Sequence, residues 1–337
     1  MLGGMPWCQP SFPHEPQGGT TLETVDDALL TRYDQGRLRS LHRARRWIRG
    51  AVHDAEGRLL PSSQKVGDLW LPADPDSARV PENAERREGT WLYGGHWMRH
   101  FGHFVTETVP TLWPRDLQVD GLIFHQYFGN TPGVQEWQQR LVDLTGYAGL
   151  PIEIVRRRPV SVERLVLPSR SVVVNGWAQP EAADVWRRMA ERLGAAGPHA
   201  RVFASRTRHN QLRAANGRAV RTTPERDAEL DRVFEAAGFF VVSPELLDVD
   251  DQIRLFAGAR VVAGAAGSAL HMAAFAPPGT RVIEIGDNRS RGWPVPMQLV
   301  IDTVCGHEHA YIPAAEPAEQ IASTLEALGV HASQERS

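Results

Sequence analysis

The second half of the chain alternates between short apolar runs and segments with helical spacing of apolar residues. The runs carry no polar alternation and predict buried strands over residues 201–204, 239–242, 260–263 and 281–285. Between them the spacing predicts helices over 250–257 and 268–275, and another that buries Leu230, Val233, Phe234 and Ala237. Buried strands separated by helices are typical of a parallel sheet covered on both faces, so this half is predicted to be a Rossmann-like α/β unit.

The first half of the chain has a less regular pattern. Apolar residues with helical spacing run from Arg99 to Trp113 and predict a helix that Pro114 ends. After it, the pattern predicts strands over 121–125, 152–155 and 164–167 and helices over 134–145 and 180–193. Before it, only short strands are predicted, over 47–53 and 90–93.

A chain of 337 residues is long enough for two domains of average size. Gly197 and Pro198 mark a linker or a helix stop between the two halves. We therefore divide the chain into a loose arm (1–25), an N-terminal α/β domain (26–196), a C-terminal Rossmann-like domain (197–313) and a C-terminal helix with a tail (314–337).

The charge balance argues against a nucleic-acid partner. The chain has 37 Lys and Arg against 40 Asp and Glu, a net charge of −3, so no overall attraction to nucleic acid or to an anionic membrane is expected. Two cysteines are too few for a disulfide framework or a four-cysteine zinc site, and Lys65 is the only lysine. The segment 305–309 (CGHEH) has metal-binding residue types but is predicted to be an edge strand or loop. No segment has the pattern of a membrane span or a signal peptide, so we expect a cytoplasmic protein.

The loop after the strand at 201–204 holds a local excess of positive charge. Against one acid, Glu225, it carries six arginines: Arg206, Arg208, Arg213, Arg218, Arg221 and Arg226. Guanidinium groups match phosphate oxygens, and ligands of doubly wound sheets bind outside the carboxyl ends of the strands, where Arg206 lies. The cluster predicts an anion site. The alternative is an exposed basic loop in an arginine-rich protein.

A Gly- and Ala-rich turn, residues 263–270, leads into the helix predicted at 268–275. The first N–H groups of such a helix lack partners, and Gly267 would let a phosphate or sugar approach the backbone while Ser268 adds a hydroxyl. The alternative is that small residues pack the helix tightly on the sheet. The turn is neither a GxGxxG nor a Walker sequence.

In the first half, His96, His100, His103 and Glu107 would share one face of a helix. One interpretation is a metal site, but the Gly94–Gly95 pair favours a helix that begins after His96 and holds at most three of these residues. The second interpretation is an acid–base pair, His103 with Glu107 one turn on. A structural histidine is the third. We favour the pair and expect no metal.

The candidate residues form an ordered series along the chain. The series runs through Gly102-His103-Phe104 with Glu107 and Pro110, Phe203-Ala204-Ser205-Arg206, Asp251-Gln252-Ile253 with Phe256, the turn 264–270, Phe275 with Pro278-Gly279, and Val282-Ile283-Glu284-Ile285. This series resembles glycosyltransferase family 61. The resemblance implies a GT-B-like architecture, in which two Rossmann-like domains face each other across a cleft, one on the acceptor side and one binding a nucleotide sugar. It also implies inverting transfer without an obligatory metal.

From this resemblance and the placement of the residues we predict two sets of site residues. The catalytic base is His103 or Glu107. The donor-binding set consists of Arg206, Arg208, Gly267, Ser268, His271, Glu284 and Asp287. The arginines and the start of the helix at 268–275 would neutralise the diphosphate, and the strand-end acids Glu284 or Asp287 would bind the ribose hydroxyls.

The Gly-rich turn departs from the family pattern. The usual His-Gly-Ala-Gly-Leu-Thr-Asn reads Ala266-Gly267-Ser268-Ala269-Leu270-His271-Met272 here, so a histidine and an asparagine that would contact the donor are missing. His271 would substitute from one turn inside the helix. The departure keeps a second hypothesis open, a catalytically inactive relative that binds nucleotide or glycan as an assembly or regulatory partner.

The resemblance also implies the partners. The donor would be a nucleotide sugar such as a UDP-sugar, the acceptor a glycan or glycolipid, and the pathway capsule or lipopolysaccharide assembly, with no further cofactor. Peripheral contact with the inner face of a membrane is compatible with a lipid-linked acceptor. A nicotinamide-dependent oxidoreductase is disfavoured, because no strand is followed by a GxGxxG and an acid at the required spacing.

Overall fold

The chain forms two units in a computed structural model that describes residues 7–37, 46–66, 70–82, 84–127, 133–290 and 292–330. The N-terminal unit is His14–Trp186, and the C-terminal unit combines Met1–Pro13 with Arg187–Ser337. These compact units divide after Trp186, within a helix. The domain boundary after residue 196 stays a prediction. Residues 1–6 of the expected arm and 331–337 of the expected tail lie outside the described residues.

The N-terminal unit is built mainly from strands. Its strands are β1 (Leu22–Leu30), β2 (Asp34–Arg37), β3 (Arg46–Arg49), β4 (Val52–His53), β5 (Leu59–Leu60), β6 (Trp70–Pro72), β7 (Glu85–Trp97), β8 (Gly121–Gln126), β9 (Ile152–Val155), β10 (Val160–Pro168), β11 (Val172–Val173) and β12 (Trp177–Ala178). Its helices are α1 (Phe101–His103), α2 (Val109–Thr111), α3 (Glu136–Val142) and α4 (Pro180–Leu193), which continues into the C-terminal unit, with π-helical turns at Phe104–Thr108 and Asp143–Tyr147 and a 3-10 turn at Pro61–Ser63.

The main sheet of this unit is mixed. Its seven strands have the order β5-β4-β1-β10-β7-β8-β9. β10, β7, β8 and β9 are parallel, whereas β1, β4 and β5 add antiparallel strands at the other side. Tyr93, Ile123, Val162 and Leu165 belong to its buried core. The expectation of a Rossmann-like domain therefore fits only the parallel half of the sheet, because β1 pairs antiparallel with β10 over its whole length.

The helix expected over 99–113 begins at Phe101 and ends at Thr111. β7 continues to Trp97, so His96 lies in a strand and not on the helix, as the glycine pair before it predicts. The middle of the helix is a π turn, Phe104–Thr108, between two short α turns. Such π turns inside α-helices are frequent at functional sites.

The C-terminal unit alternates strands and helices. Its strands are β13 (Arg201–Ala204), β14 (Phe240–Val242), β15 (Val261–Ala265), β16 (Arg281–Ile285) and β17 (Glu308–Ile312). Its helices are α5 (Thr207–Ala215), α6 (Pro224–Ala236), α7 (Val249–Ala257), α8 (Pro296–Cys305) and α9 (Ala318–Ala327), with 3-10 helices at Pro244–Leu246 and Leu270–Phe275. The parallel α/β prediction for this half is confirmed.

The five strands of this unit form a parallel sheet in the order β14-β13-β15-β16-β17. In this doubly wound order the connections leave β13 and β15 in opposite directions, which makes the carboxyl ends of these two strands a topological switch point. Ligands of doubly wound sheets bind at such a point. The segment 305–309 enters β17, the edge strand that its pattern allowed.

One apolar face of this sheet packs against α6 and α9. Phe203 of β13 stacks on Phe234 of α6 at a centroid distance of 4.2 Å. Part of the expected arm is anchored on the same unit. The Trp7 indole N–H donates to the Leu328 carbonyl at 3.0 Å, and the backbone of Cys8 forms an isolated antiparallel β-bridge with that of His309 in β17.

Two local expectations are wrong. The helix predicted over 268–275 is a turn followed by a 3-10 helix, Leu270–Phe275, and Gly267 just before it has a φ of +138°. The polar loop after β13 instead contains α5 and leads into α6. Within the described ranges, no helix is both long and apolar enough to cross a membrane.

Candidate active site

His103, at the end of α1, and Glu107, on the π turn that follows, form a hydrogen-bonded pair. The two side chains are one turn apart, and His103 Nδ1 lies 2.6 Å from Glu107 Oε1. The His103 side chain is 54% exposed, whereas that of Glu107 is 5% exposed. The carboxylate is therefore the buried end of the pair and the imidazole is the end that meets solvent, which is the orientation a base needs to reach a substrate.

Lys65, the only lysine of the chain, contacts the other oxygen of Glu107. Both side chains are 5% exposed. Burial, reinforced by the neighbouring Arg170 charge, lowers the pKa of Lys65 well below its ordinary value. Because each carboxylate oxygen of Glu107 has one partner, Lys65 and His103 together hold the group in a single orientation.

Arg170 adds a second buried cation next to Lys65. It follows β10, and its guanidinium donates to His96 Nδ1 at 2.9 Å and to the Gln64 carbonyl at 3.0 Å. Burial and the Arg170 charge lower the pKa of His96 well below its ordinary value. His96 is thus a neutral structural histidine that helps to hold Arg170, and the four-residue metal face considered from the sequence does not form.

In the cluster around Glu107, the imidazole of His103 is the group placed to take a proton from a substrate. When Glu107 accepts a hydrogen bond from His103 Nδ1–H, the imidazole lone pair lies on Nε2. Lys65 occupies Oε2 of Glu107, so Oε1 is left to accept from His103 Nδ1–H, which favours that tautomer. The geometry suits a general base of the histidine–carboxylate type.

In the C-terminal unit, Arg206 follows β13 and Gly267 follows β15, so both lie at the switch point. The residues on either side of Arg206 are tied to α6, since the hydroxyls of Ser205 and Thr207 donate to Asp231 Oδ2 at 2.9 and 2.6 Å. These hydrogen bonds fix the backbone from which the Arg206 side chain reaches the turn after β15.

Three guanidinium groups converge on the turn at 266–267. The Ala266 carbonyl accepts from Arg206 and Arg221 at 3.5 Å and from Arg289 at 3.0 Å. A Cβ added at Gly267 would lie 2.8 Å from Arg221 Nη1 and 3.0 Å from Arg206 Nη1, and its φ of +138° also disfavours other residues. Glycine is therefore required where the guanidinium groups approach the backbone most closely.

One carboxylate, that of Asp287, faces this group of arginines. Asp287 is 2% exposed and accepts from Arg289 at 2.7 Å, while Arg221 lies 4.0 Å away. Burial lowers the pKa of Arg206, and burial together with the Arg289 and Arg206 charges lowers the pKa of Arg221 to about 10. Three guanidinium groups facing one carboxylate leave a surplus of positive charge at this turn.

Arg206 has an unused donor. Among the described residues nothing accepts a hydrogen bond from its buried Nε. A buried donor without a partner carries a free-energy cost of about 1–3 kcal/mol, which a bound anion would remove.

The other predicted donor residues differ in how accessible they are. Arg208 is exposed on α5, Ser268 is half-buried in the turn, and His271 Nδ1 lies 3.0 Å from Gln298 Oε1. Asp287 is occupied by Arg289. Both carboxylates that were predicted to bind the ribose, those of Asp287 and Glu284, are buried in this structure.

Glu284 belongs to a buried polar network. Its Oε1 accepts from the Val295 N–H at 2.8 Å, and its Oε2 lies 3.9 Å from His309 Nε2. His309 and His307 are both held by Asp302, at 2.8 and 3.1 Å. Burial raises the pKa of Glu284 to about 8. The network links β16, β17 and α8 to one another.

A family model described as Glycosyltransferase 61 matches residues 101–283, more than half of the chain. No curated protein matches the chain. The chain belongs to the glycosyltransferase 61 family. Among the described residues, no group of three or more His, Cys, Asp or Glu could hold a metal ion.

The glycosyltransferase 61 match covers both clusters in part. It includes His103, Glu107, Arg206 and Gly267, whereas Lys65 precedes the matched region. Glu284, Asp287 and Arg289 follow it. Each cluster therefore combines residues inside the matched segment, Arg170 and Arg221 among them, with residues outside it.

Sequence reasoning missed four residues of this glycosyltransferase. Lys65, Arg170, Arg221 and Arg289 carry charges that complete the two clusters. Arg221 was counted in the basic loop but not selected, since nothing separated it from its exposed neighbours. Arg289 follows Asp287 closely after a predicted strand, which is a usable signal, and Lys65 stands out only as the single lysine. Arg170 has no such signal.

Proposed function

We propose that this glycosyltransferase moves a sugar from a nucleotide-sugar donor, with a UDP-sugar as the first candidate, to a hydroxyl of a glycan or lipid-linked acceptor. The observation that carries the proposal is the convergence of Arg206, Arg221 and Arg289 at the switch point of a parallel sheet. Three guanidinium groups facing one carboxylate, that of Asp287, suit a diphosphate, which guanidinium groups bind through paired hydrogen bonds.

In the proposed reaction the arginines stabilise the leaving group. The bond between the anomeric carbon and the diphosphate oxygen breaks, and the oxygen keeps the electron pair. Negative charge therefore grows on the diphosphate as the sugar departs, and pre-positioned guanidinium groups lower the energy of that state. These fixed cations supply the charge that a divalent metal supplies elsewhere, so we propose metal-independent transfer.

His103 is the proposed base. As the acceptor oxygen forms its bond to the anomeric carbon, His103 Nε2 takes the hydroxyl proton, and Glu107 stabilises the resulting imidazolium through Nδ1–H. A single displacement of this kind inverts the configuration at the anomeric carbon. Lys65 holds Glu107 in place between turnovers.

The wider context is part of the same proposal. A GT-B-like arrangement, a role in polysaccharide assembly of the capsule or lipopolysaccharide type, and a cytoplasmic location with peripheral membrane contact are supported by the family resemblance.

An inactive binding protein is the second candidate. It is favoured by the residues at the two altered positions of the turn, since Ala266 and Met272 are both fully buried and offer no polar side chain to a donor. Acceptor-dependent release of a nucleoside diphosphate separates the two candidates, because a binding protein releases none.

The test is binding of a panel of nucleoside diphosphates, UDP first, to the wild type and to Arg206→Ala. A hydrogen bond to a charged group is worth about 1.5–3 kcal/mol, so we expect the Kd to rise roughly 10- to 150-fold. Arg218→Ala, an exposed arginine of the same loop, is the matched control and should bind like the wild type. Arg208→Ala tests whether the exposed arginine of α5 contributes as the sequence predicts.

Tight binding that survives in Arg206→Ala would defeat the diphosphate role of the cluster. Equal weakening in Arg218→Ala would show a general charge effect in place of a site. Calorimetric titration with the full chain measures all four proteins under one salt concentration, which matters because charge pairing weakens with salt.

A further inference from the structure

A cavity of about 630 Å³ lies in the N-terminal unit, away from the residues used above. Cavities of roughly 300–1,000 Å³ are typical of small-molecule sites. Its lining includes Tyr33, Gln126, Glu153 and the three consecutive arginines Arg156, Arg157 and Arg158. The arginines follow the carboxyl end of β9, and Gln126 ends β8. The cavity is thus lined by polar and charged groups.

The carboxylates of the cavity are already neutralised. Glu153 accepts from the Arg87 guanidinium at 2.5 and 2.9 Å, and Glu85, also in the lining, accepts from Arg87 at 2.9 Å. This pairing with Arg87 lowers the pKa of Glu85, so the group stays ionised and engaged. Arg158 lies 3.6 Å from Glu85.

Arg156 and Arg157 are left with unbalanced charge. No carboxylate of the described residues lies within ion-pair distance of either guanidinium group. Arg156 is half-buried, so its charge acts in surroundings less polar than water. A cavity with surplus guanidinium charge favours a ligand that carries a carboxylate or a phosphate.

One residue of the cavity lining is next in sequence to a residue that contacts Lys65. Gln126 of its lining precedes Tyr127, whose ring centroid is 5.5 Å from Lys65 Nζ. Lys65 contacts Glu107, the partner of His103. A series of neighbouring residues, from Gln126 through Lys65 to Glu107, therefore connects the cavity lining with the partner of the base.

We propose that this cavity binds the anionic group of an acidic acceptor, the carboxylate of a uronic-acid residue or a phosphate on a sugar. The inference rests on the proposed function, because it assigns the acceptor of that reaction. Arg156 and Arg157 bind the anion, while Gln126 offers hydrogen bonds to sugar hydroxyls. Arg87 keeps the two glutamates from competing with the ligand.

The test is direct binding to the full chain in the absence of any donor. Methyl β-D-glucuronide and D-glucose 6-phosphate are the acidic probes, and methyl β-D-glucoside is the neutral one. We expect at least one acidic probe to bind about tenfold or more tightly than the neutral one. The Arg156→Gln/Arg157→Gln variant should lose that preference, whereas the matched surface variant Arg79→Gln/Arg164→Gln should keep it.

The two acidic probes separate a carboxylate site from a phosphate site, and either preference supports the inference. Equal binding of acidic and neutral probes to the wild type, or a preference that survives in Arg156→Gln/Arg157→Gln, overturns it. Acidic-probe binding without any transferase activity would contradict the proposed function and leave the site standing. Transfer to acidic acceptors at wild-type rates in the double variant would contradict only the acidic-acceptor inference.

Discussion

The charged clusters of the two units differ in how their charges are balanced. In the N-terminal unit, Glu107 is enclosed between Lys65 and His103, and only the imidazole is substantially exposed. In the C-terminal unit, one buried carboxylate, Asp287, faces guanidinium groups that are partly exposed, 33% for Arg221 and 44% for Arg289. The first cluster is closed except at one titratable ring, whereas the second presents surplus positive charge to solvent.

This difference separates two tasks that a glycosyl transfer needs. A balanced, buried carboxylate changes the proton affinity of its histidine without attracting an anion. A surplus of arginine attracts an anion but offers no group that titrates near neutral pH. If each unit carries one task, substitutions in one cluster should leave the function of the other unchanged.

The largest expected effect is that of His103→Ala. Loss of a general base typically lowers kcat by about 10²–10⁴-fold, and we expect a value in that range for acceptor-dependent release of nucleoside diphosphate. The Kd of the nucleoside diphosphate should stay at the wild-type value, because Arg206, Arg221 and Arg289 are unchanged.

His100→Ala is the matched control for this experiment, since His100 precedes the same helix and lies 5.3 Å from His103 between ring centroids. It should retain most of the activity. A parallel loss of diphosphate binding in His103→Ala would break the separation of tasks between the two clusters.

A smaller effect is expected for Lys65→Met. The Lys65 amino group holds one oxygen of Glu107, so its removal makes the ionised carboxylate less favourable. The pH at which the His103–Glu107 pair loses its proton should therefore rise, by about one unit or roughly 1.4 kcal/mol. The measurement is an NMR titration of the His103 ring, assigned by comparison with His103→Gln.

Lys65→Arg keeps the charge and should return the titration toward that of the wild type. A loss of folding alone would change the unfolding temperature without moving the titration of the folded protein. An unchanged titration in Lys65→Met would show that Lys65 has no electrostatic influence on the pair.

The smallest effect concerns stability and pH in the C-terminal unit. The pKa of Glu284 is raised to about 8 from a usual 4.5 by burial, and Asp302 and Asp287 act in the same direction. As pH rises through this interval the unfolded state ionises first, so the contribution of protonated Glu284 to folding is lost progressively by about pH 8.

Glu284→Gln removes this dependence and keeps an oxygen for the Val295 N–H. We expect its unfolding temperature to exceed that of the wild type by a few degrees at pH 8 and by little at pH 5, measured by calorimetry. The exposed Glu319→Gln on α9 is the control and should show no such growth with pH. A gain of equal size at both pH values would contradict the raised pKa.

Several elements were readable from the sequence because local patterns determine them. The strands at 152–155, 201–204 and 281–285 and the helix at 180–193 have the predicted bounds. Each is an apolar run or an amphipathic repeat without competing signals. The segment 268–275, expected to be an α-helix, is instead a turn and a 3-10 helix, next to a glycine at which arginines from distant segments meet.

The candidate base could be found from the sequence, since His103 and Glu107 are one helical turn apart and local geometry brings them together. Lys65 could not, because it comes from a separate segment and meets Glu107 only in the folded unit. Arg170 reaches His96 from the end of β10 for the same reason.

The sequence by itself determined the parallel α/β character of the C-terminal half, the histidine–carboxylate pair and the presence of an arginine-rich loop. The tertiary structure decided which arginines converge, with Arg206, Arg221 and Arg289 meeting at the switch point while Arg208 stays exposed. It also decided that Asp287 and Glu284 are buried. The physical reason is that periodicity reports the burial of a local face, whereas the balance of charge at a site depends on residues brought together across the sheet.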